Sequence, residues 1–172
     1  PYSVNPAYTC TKLISIKEAF GYFLWSPPGN TILDVPVGSA QARTQTCIDN
    51  LGNTFSCYVL LLQKGWNMIG SSFDKEINFT SVDINGNGSI DNAERGIYVR
   101  RTSNKVDVNT FQDAVTATPH WIDGSIYTFN GVNYTYEVCD KNESSLVMQP
   151  WKAYWIRLEP QGGATFELLV PW

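Results

Sequence analysis

Thr54-Phe55-Ser56-Cys57-Tyr58-Val59-Leu60-Leu61-Leu62 is the longest apolar stretch of the chain. It falls far short of the roughly 18 apolar residues that cross a bilayer. It follows Asn50-Leu51-Gly52-Asn53, a turn signal. A short apolar run bounded by turn residues reads as a β-strand. Thr44–Ile48 lies on the other side of the turn, so the two runs predict a hairpin, with Cys47 and Cys57 facing each other across it.

The same pattern repeats outward in both directions. Upstream, Lys12–Lys17, the aromatic Phe20–Trp25 and Ile32–Val37 read as strands, the second closed by Ser26-Pro27-Pro28-Gly29-Asn30. Downstream come Trp66–Ser72, Ile77–Val82, Ile97–Arg101, Ser125–Phe129, Tyr134–Val138, Ala153–Leu158 and Ala164–Val170. Asn130-Gly131 is a favoured turn pair between two of these. Helical signal is scarce. Val108, Phe111 and Val115 share a face at helical spacing, with Asp107 or Asn109 as cap, and a single turn is expected over Asp91–Arg95, stopped by Gly96. So many short strands predict a mostly β chain, a β-sandwich or barrel-like domain with one or two short helices.

A length of 172 residues fits one domain, 1–172, with room for a real core. The likeness of Gly21-Tyr22-Phe23-Leu24-Trp25 to Ala153-Tyr154-Trp155-Ile156 leaves open two β units, 1–62 and 63–172. Charged residues make up 16% of the chain, against about 25% in ordinary soluble domains. Its polarity comes instead from Asn, Thr, Ser and Gln, which suits an extracellular or cell-surface protein. The net charge is −4 and no basic run exceeds Arg100-Arg101, so a nucleic-acid footprint is not expected. Membrane insertion of this chain is not expected either. The chain begins at Pro1 with no signal-peptide pattern, and reads as a mature or excised piece.

Cys10, Cys47, Cys57 and Cys139 make an even count without a Cys-x-x-Cys pair. Four cysteines allow three connectivities. A hairpin bond between Cys47 and Cys57 would leave Cys10 with Cys139, tying the N-terminus to the late strands. Asn-x-Ser/Thr sequons at Asn78, Asn87, Asn133 and Asn142 agree with secretion.

The sharpest motif is Asp83-Ile84-Asn85-Gly86-Asn87-Gly88-Ser89-Ile90-Asp91-Asn92-Ala93-Glu94. Calcium takes six to eight hard oxygens, and a twelve-residue loop can supply them in register. Asp83, Asn85 and Asn87 stand at positions 1, 3 and 5, and Gly88 at 6, where the backbone must turn sharply. The Ser89 carbonyl fills position 7, Asp91 serves position 9 directly or through water, and Glu94 at 12 offers a bidentate carboxylate. Ile90 is expected to point away from the ion. Asn87 is both a would-be ligand and a sequon, and coordination is the favoured role. Only Asp83, Asp91 and Glu94 are charged, so the expected affinity for Ca²⁺ is that of extracellular modules, micromolar to millimolar.

These twelve residues resemble the calcium loop of EF-hands and dockerins. The flanks depart from both families: Phe73–Val82 is β-like, and Gly96 with Ile97-Tyr98-Val99 ends any outgoing helix. A groove-opening sensor is not implied, and without a second loop neither is cohesin binding. Leu62-Gln63-Lys64-Gly65-Trp66-Asn67-Met68-Ile69-Gly70, Ser125-Ile126-Tyr127-Thr128-Phe129-Asn130-Gly131 and Gln149-Pro150-Trp151-Lys152-Ala153-Tyr154-Trp155-Ile156 follow in that order. Together they are similar to a β-rich repeat of prokaryotic secreted and surface proteins, over roughly Leu60 to Val170. The resemblance implies a location more than an activity, with the calcium loop as an insertion.

Catalytic patterns are missing from the sequence. The single histidine, His120, sits between Pro119 and Trp121 and reads as a loop residue, and no nucleophile elbow, zinc-protease motif or phosphate loop is present. The expectation is a non-enzymatic structural or adhesive surface domain stabilised by Ca²⁺, suited to a filament or coat. Two roles stand open for the terminal strands, Pro1–Thr9 and Ala164–Trp172: joining copies of the chain by strand addition, or simply closing their own sheet. The alternative is a calcium-stabilised carbohydrate-binding module, with Trp25, Trp121, Trp151 and Tyr134 as candidate stacking platforms for surface glycans.

Overall fold

The hairpin around Asn50-Leu51-Gly52-Asn53 is formed by β1 (Gln45–Ile48) and β2 (Thr54–Leu62), paired antiparallel. The computed structural model describes residues 44–70, 75–81, 83, 85–91, 93–129, 134–138, 146–150, 152–159 and 164–172, with the backbone alone at 129 and 134–138. The strands read at Lys12–Lys17, Phe20–Trp25 and Ile32–Val37 lie outside these residues. Among the described residues the hairpin is followed by β3 (Gly65–Gly70), β4 (Ile77–Asn78), β5 (Tyr98–Arg101), β6 (Val108–Thr110), helix α1 (Phe111–Thr116), β7 (Ser125–Phe129), β8 (Tyr134–Val138), β9 (Val147–Met148), β10 (Ala153–Leu158) and β11 (Phe166–Pro171). The chain is mostly β, as its run of short strands predicts. No helix of the described residues is long and apolar enough to cross a membrane.

Two antiparallel sheets carry the architecture. One has five strands in the order β1-β2-β11-β5-β6, the other four in the order β3-β10-β7-β8, and β4 pairs with β9 as a separate ribbon. Leu60, Leu62, Val99, Phe166, Leu168 and Val170 of the first sheet share one core with Ile69, Ile126, Tyr154, Ile156 and Leu158 of the second. That is the sandwich arrangement, with each inner face supplying alternate residues. The outer face of the five-stranded sheet carries a second cluster: Cys47, Phe55, Cys57, Tyr98, Val108 and Leu169. Burial on both faces explains the near-continuous apolar run of β11, where Phe166, Leu168, Leu169 and Val170 are all buried, whereas β2 leaves Thr54, Ser56 and Leu61 exposed. β10 does alternate, with Tyr154, Ile156 and Leu158 buried and Arg157 exposed.

The Cys47–Cys57 disulfide is present, with Cα atoms 5.8 Å apart. The two cysteines are diagonal neighbours: Cys47 is directly opposite Phe55, and Cys57 opposite Gln45. Helix α1 begins later than the spacing predicts. Val108 is in β6, whose ladder to β5 pairs Arg100 with Val108 and Tyr98 with Thr110. The strand claims these residues, so the cap is Thr110, whose Oγ1 accepts from Asp113 N at 3.0 Å, and not Asp107 or Asn109. Phe111, Ala114 and Val115 then bury the helix against the core.

Strand β11 lies in the middle of its sheet, hydrogen-bonded to β2 on one side and to β5 on the other. The C-terminal strand therefore completes its own sheet and presents no free edge. The proposed alternative donor, Pro1–Thr9, lies outside the described residues.

Candidate metal centre

The segment 83–94 leaves and re-enters the fold through a narrow neck. Strand β4 and the residues after it bring Asn78, Thr80 and Ser81 alongside Gly96 and Ile97. Ile97 N donates to Asn78 O at 3.1 Å, and Gly96 N to Ser81 Oγ at 2.9 Å. The backbones approach so closely that a Cβ on Gly96 would lie 2.5 Å from Ser81 N and 2.8 Å from Thr80 O. Only glycine fits there. The loop is thus pinched shut at its base, immediately before Ile97 enters the core.

Within the loop, the side chains at the predicted ligand positions fold back onto its own amides. Asp83 Oδ1 accepts from Asn87 N at 3.2 Å and Asp83 Oδ2 from Gly88 N at 2.7 Å. Asn85 Oδ1 accepts from Asn87 N at 3.0 Å, and Asn87 Oδ1 from Ser89 N at 2.8 Å. Asp91 Oδ1 accepts from Ala93 N at 2.9 Å. Glu94 spans the loop: Oε1 accepts from Asn85 N at 2.9 Å and Oε2 from Asp91 N at 3.2 Å. Gly86 and Gly88 have φ of 68° and 79°, in the left-handed region that glycine enters without a steric penalty. The expected turn at the end of the motif is present as the bond from Glu94 N to Asp91 O at 3.2 Å.

This geometry can be tested for fit to Ca²⁺ on its donor set. Among the described residues no group of three or more His, Cys, Asp or Glu side chains is gathered to hold a metal, so Asp83, Asp91 and Glu94 alone do not make a site. Calcium also takes neutral amide and backbone carbonyl oxygens beside carboxylates. The amide oxygens of Asn85 and Asn87 and the Ser89 carbonyl belong to the same loop. Glu94 is buried at 3% exposure, while Asn85, Asn87, Ser89 and Asp91 are open to solvent. A carboxylate oxygen carries two lone pairs, so each oxygen of Asp83, which accepts one loop amide, keeps a second for a cation. In chemical type, these oxygens are ones that calcium takes.

The residue after Glu94 ties the loop to the hairpin. Arg95 is buried, its guanidinium 4.8 Å from the Phe55 ring centroid, and Nη1 donates to Asp49 Oδ2 at 2.5 Å. Asp49 Oδ1 in turn accepts from Leu51 N at 2.9 Å and Asn53 N at 2.8 Å, which shapes the turn between the two half-cystines. Burial pushes the Asp49 carboxyl upward, but the Asn53 amide, the Arg95 guanidinium and the other donors outweigh it and hold the group below the usual aspartate range. Neither Asp49 nor Arg95 stands out in the sequence, since each is a single charge beside a turn or a motif.

The other expected sites scatter. Cys10, Cys139, Asn133, Asn142, Trp25 and Trp151 lie outside the described residues, and Tyr134 is in β8. Asn78 is half-buried in β4, its carbonyl held by Ile97. Trp121 offers no stacking platform: it is 8% exposed, 4.8 Å from the Phe166 ring, with the Arg101 guanidinium 5.3 Å from its centroid. The core takes the ring because Phe166 and Ile122 bring it inward. Two indoles are exposed among the described residues, Trp172 at 56% and Trp66 at 50%; Trp66 stands edge-on to Tyr127 at 5.4 Å on the outer face of the four-stranded sheet. Arg157, its cross-strand partner, stands 5.9 Å from its centroid. The signal for that placement is the alternation of β10, which turns Arg157 outward, together with a strand register that sequence does not print. No family model, no curated protein and no solved structure matches the chain.

Proposed function

We propose that this chain is a non-enzymatic structural or adhesive domain of the cell exterior, stabilised by one calcium ion in the loop Asp83–Glu94. The observation that carries the reading is the loop itself. Its side-chain oxygens at positions 1, 3, 5, 9 and 12 already bond the loop's own amides. Positive-φ glycines stand at positions 4 and 6. The neck closes on Gly96, so an ion bound there would rigidify an excursion between β4 and β5 and add its binding energy to folding. Ligands would be Asp83, Asn85, Asn87, the Ser89 carbonyl, Asp91 and Glu94.

The test is thermal melting in calcium and in chelator, with calorimetric titration of Ca²⁺. The parent protein is expected to melt higher in calcium, and Asp83→Ala and Glu94→Ala to lose that gain. If all three proteins melt alike in both conditions, the calcium reading fails. Assembly into a filament or coat is the accompanying proposal, and electron microscopy in calcium and chelator decides it.

A second reading, a carbohydrate-binding module, has one observation in its favour: the half-exposed Trp66 on an outer sheet face. Its T-shaped contact with Tyr127, at 80° between planes, makes a single-ring subsite rather than a flat platform. Quenching of Trp66 fluorescence by oligosaccharide, lost in Trp66→Ala, would support this reading.

A further inference from the structure

The loop contains two Asn-Gly pairs, Asn85-Gly86 and Asn87-Gly88, all four residues exposed. Asparagine before glycine is open to an intramolecular reaction, because glycine has no Cβ to shield its backbone nitrogen from the side-chain carbonyl carbon that precedes it. The reaction needs that nitrogen free, since a hydrogen bond from its N–H holds it in place and away from the electrophile. In sequence the two pairs are near-duplicates. In the structure they differ.

Gly88 N donates to Asp83 Oδ2 at 2.7 Å, a short bond to a charged acceptor. Gly86 N donates to no group among the described residues. The two asparagine side chains are held similarly: Asn85 Oδ1 accepts from Asn87 N at 3.0 Å and Asn87 Oδ1 from Ser89 N at 2.8 Å, while Asn85 Nδ2 makes a long contact of 3.4 Å to Asp91 Oδ2. The nucleophile therefore separates the pairs.

We propose that Asn85 is a site of spontaneous covalent modification and that Asn87 is protected from it by Asp83. Gly86 N attacks Asn85 Cγ, the new N–Cγ bond closes a five-membered ring, Gly86 gives up its proton, and the side-chain nitrogen leaves as ammonia. Water then opens the succinimide at either carbonyl, giving aspartate or isoaspartate. Water is the sole co-reactant and no electrons are transferred. The consequence rests on the calcium reading: aspartate adds a negative charge at loop position 3, whereas isoaspartate inserts a backbone carbon and shifts residue 85 against Asn87 and Asp91.

The test is incubation of the folded protein in mildly alkaline buffer with chelator, beside the same protein unfolded in urea. Peptide mapping by mass spectrometry resolves conversion at Asn85 from conversion at Asn87. In the unfolded chain both are expected to convert at comparable rates, and in the folded chain Asn85 several-fold faster than Asn87. Equal rates in the folded protein, or Asn87 ahead, would overturn the proposal. So would an unmodified Asn85 after a time in which the unfolded chain has converted at both. Because the incubation contains chelator, its result does not depend on whether the loop takes calcium, which the titration above decides separately.

Discussion

Arg95 Nη1 donates to Asp49 Oδ2 at 2.5 Å, so the residue that follows the last proposed calcium ligand is bonded to the residue that opens the hairpin turn. Both side chains are nearly sealed from solvent, at 6% and 2% exposure. Removing one partner of such a pair leaves a buried, uncompensated charge, typically a loss of roughly 3–5 kcal/mol. Arg95→Met is expected near the lower end, about 3 kcal/mol, because Asp49 keeps its amide donors from Leu51 and Asn53. Asp49→Asn together with Arg95→Met should recover part of that loss, since no charge is then stranded. Urea midpoints of the parent and the variants measure this, and an Arg95→Met midpoint equal to the parent's would show that the bond carries no stability.

Acid should weaken the fold through two carboxylates. Asp49 is held below the ordinary aspartate value of 3.8 against the opposing effect of burial. Glu167 is held below 4.5, where burial again raises and the cations Lys105 and Arg100, at 2.6 Å and 2.7 Å, lower more strongly. A carboxyl with a depressed folded-state pKa binds protons more readily in the unfolded chain, so its stabilising contribution is complete above the unfolded value and is lost as pH falls through the folded one. Melting temperature is expected to hold down to about pH 5 and to decline progressively below it. Glu167→Gln should melt lower than the parent at neutral pH and show a shallower decline in acid. Parallel slopes for the two proteins would remove Glu167 from the account.

The strands were legible wherever local pattern sufficed: β2, β7, β8 and β10 lie where alternation and turn residues put them. The hairpin disulfide followed from Asn50-Leu51-Gly52-Asn53 alone, although its diagonal register did not. The start of α1 is not legible locally, because Val108, Phe111 and Val115 have helical spacing while the pairing of Val108 with Arg100 is a long-range preference that no local window contains. The loop is legible as a unit because a single motif spans it, and its side chains at positions 1, 3, 5, 9 and 12 bond its own amides. The Asp49–Arg95 bond and the Gly96 neck were not, since each joins segments that only the finished sheets bring together. Trp121 and Trp66 were indistinguishable as tryptophans, and packing against Phe166 decided which one is buried.

Gly96→Ala should be the most damaging glycine substitution around the loop. Its Cβ would meet the backbone of Thr80 and Ser81, which cannot rotate aside, whereas Gly86 and Gly88 have nothing within 4 Å. Overpacking costs roughly 1–3 kcal/mol in general, and obstruction by main chain places Gly96→Ala at or above about 3 kcal/mol. Gly86→Ala suffers only the left-handed backbone penalty of about 1–2 kcal/mol. Denaturation of the two variants side by side gives the order, and a Gly86→Ala that proves the less stable would show that the neck is free to widen.

If calcium orders the loop, its effect should travel to the hairpin through Arg95. Glu94 would be fixed by the ion, Arg95 is its neighbour, and Asp49 anchors a turn in which Asp49 N bonds Asn53 O at 2.9 Å and Gly52 N bonds Asp49 O at 3.2 Å. Hydrogen exchange at Asp49, Leu51 and Asn53 is expected to slow on adding calcium, by no more than the ion's own stabilisation, about 2.7 kcal/mol at a hundredfold excess over Kd. The amide of Ala117 at the far end of α1, bonded to Asp113 O at 2.8 Å, serves as the distant reference. Coupling through Arg95 requires the hairpin amides to gain more than Ala117, and Arg95→Met to erase that excess while calorimetry still records calcium binding. Equal gains at both places would mean that the ion acts only by raising global stability, and that the loop and the hairpin are stabilised together without a specific link.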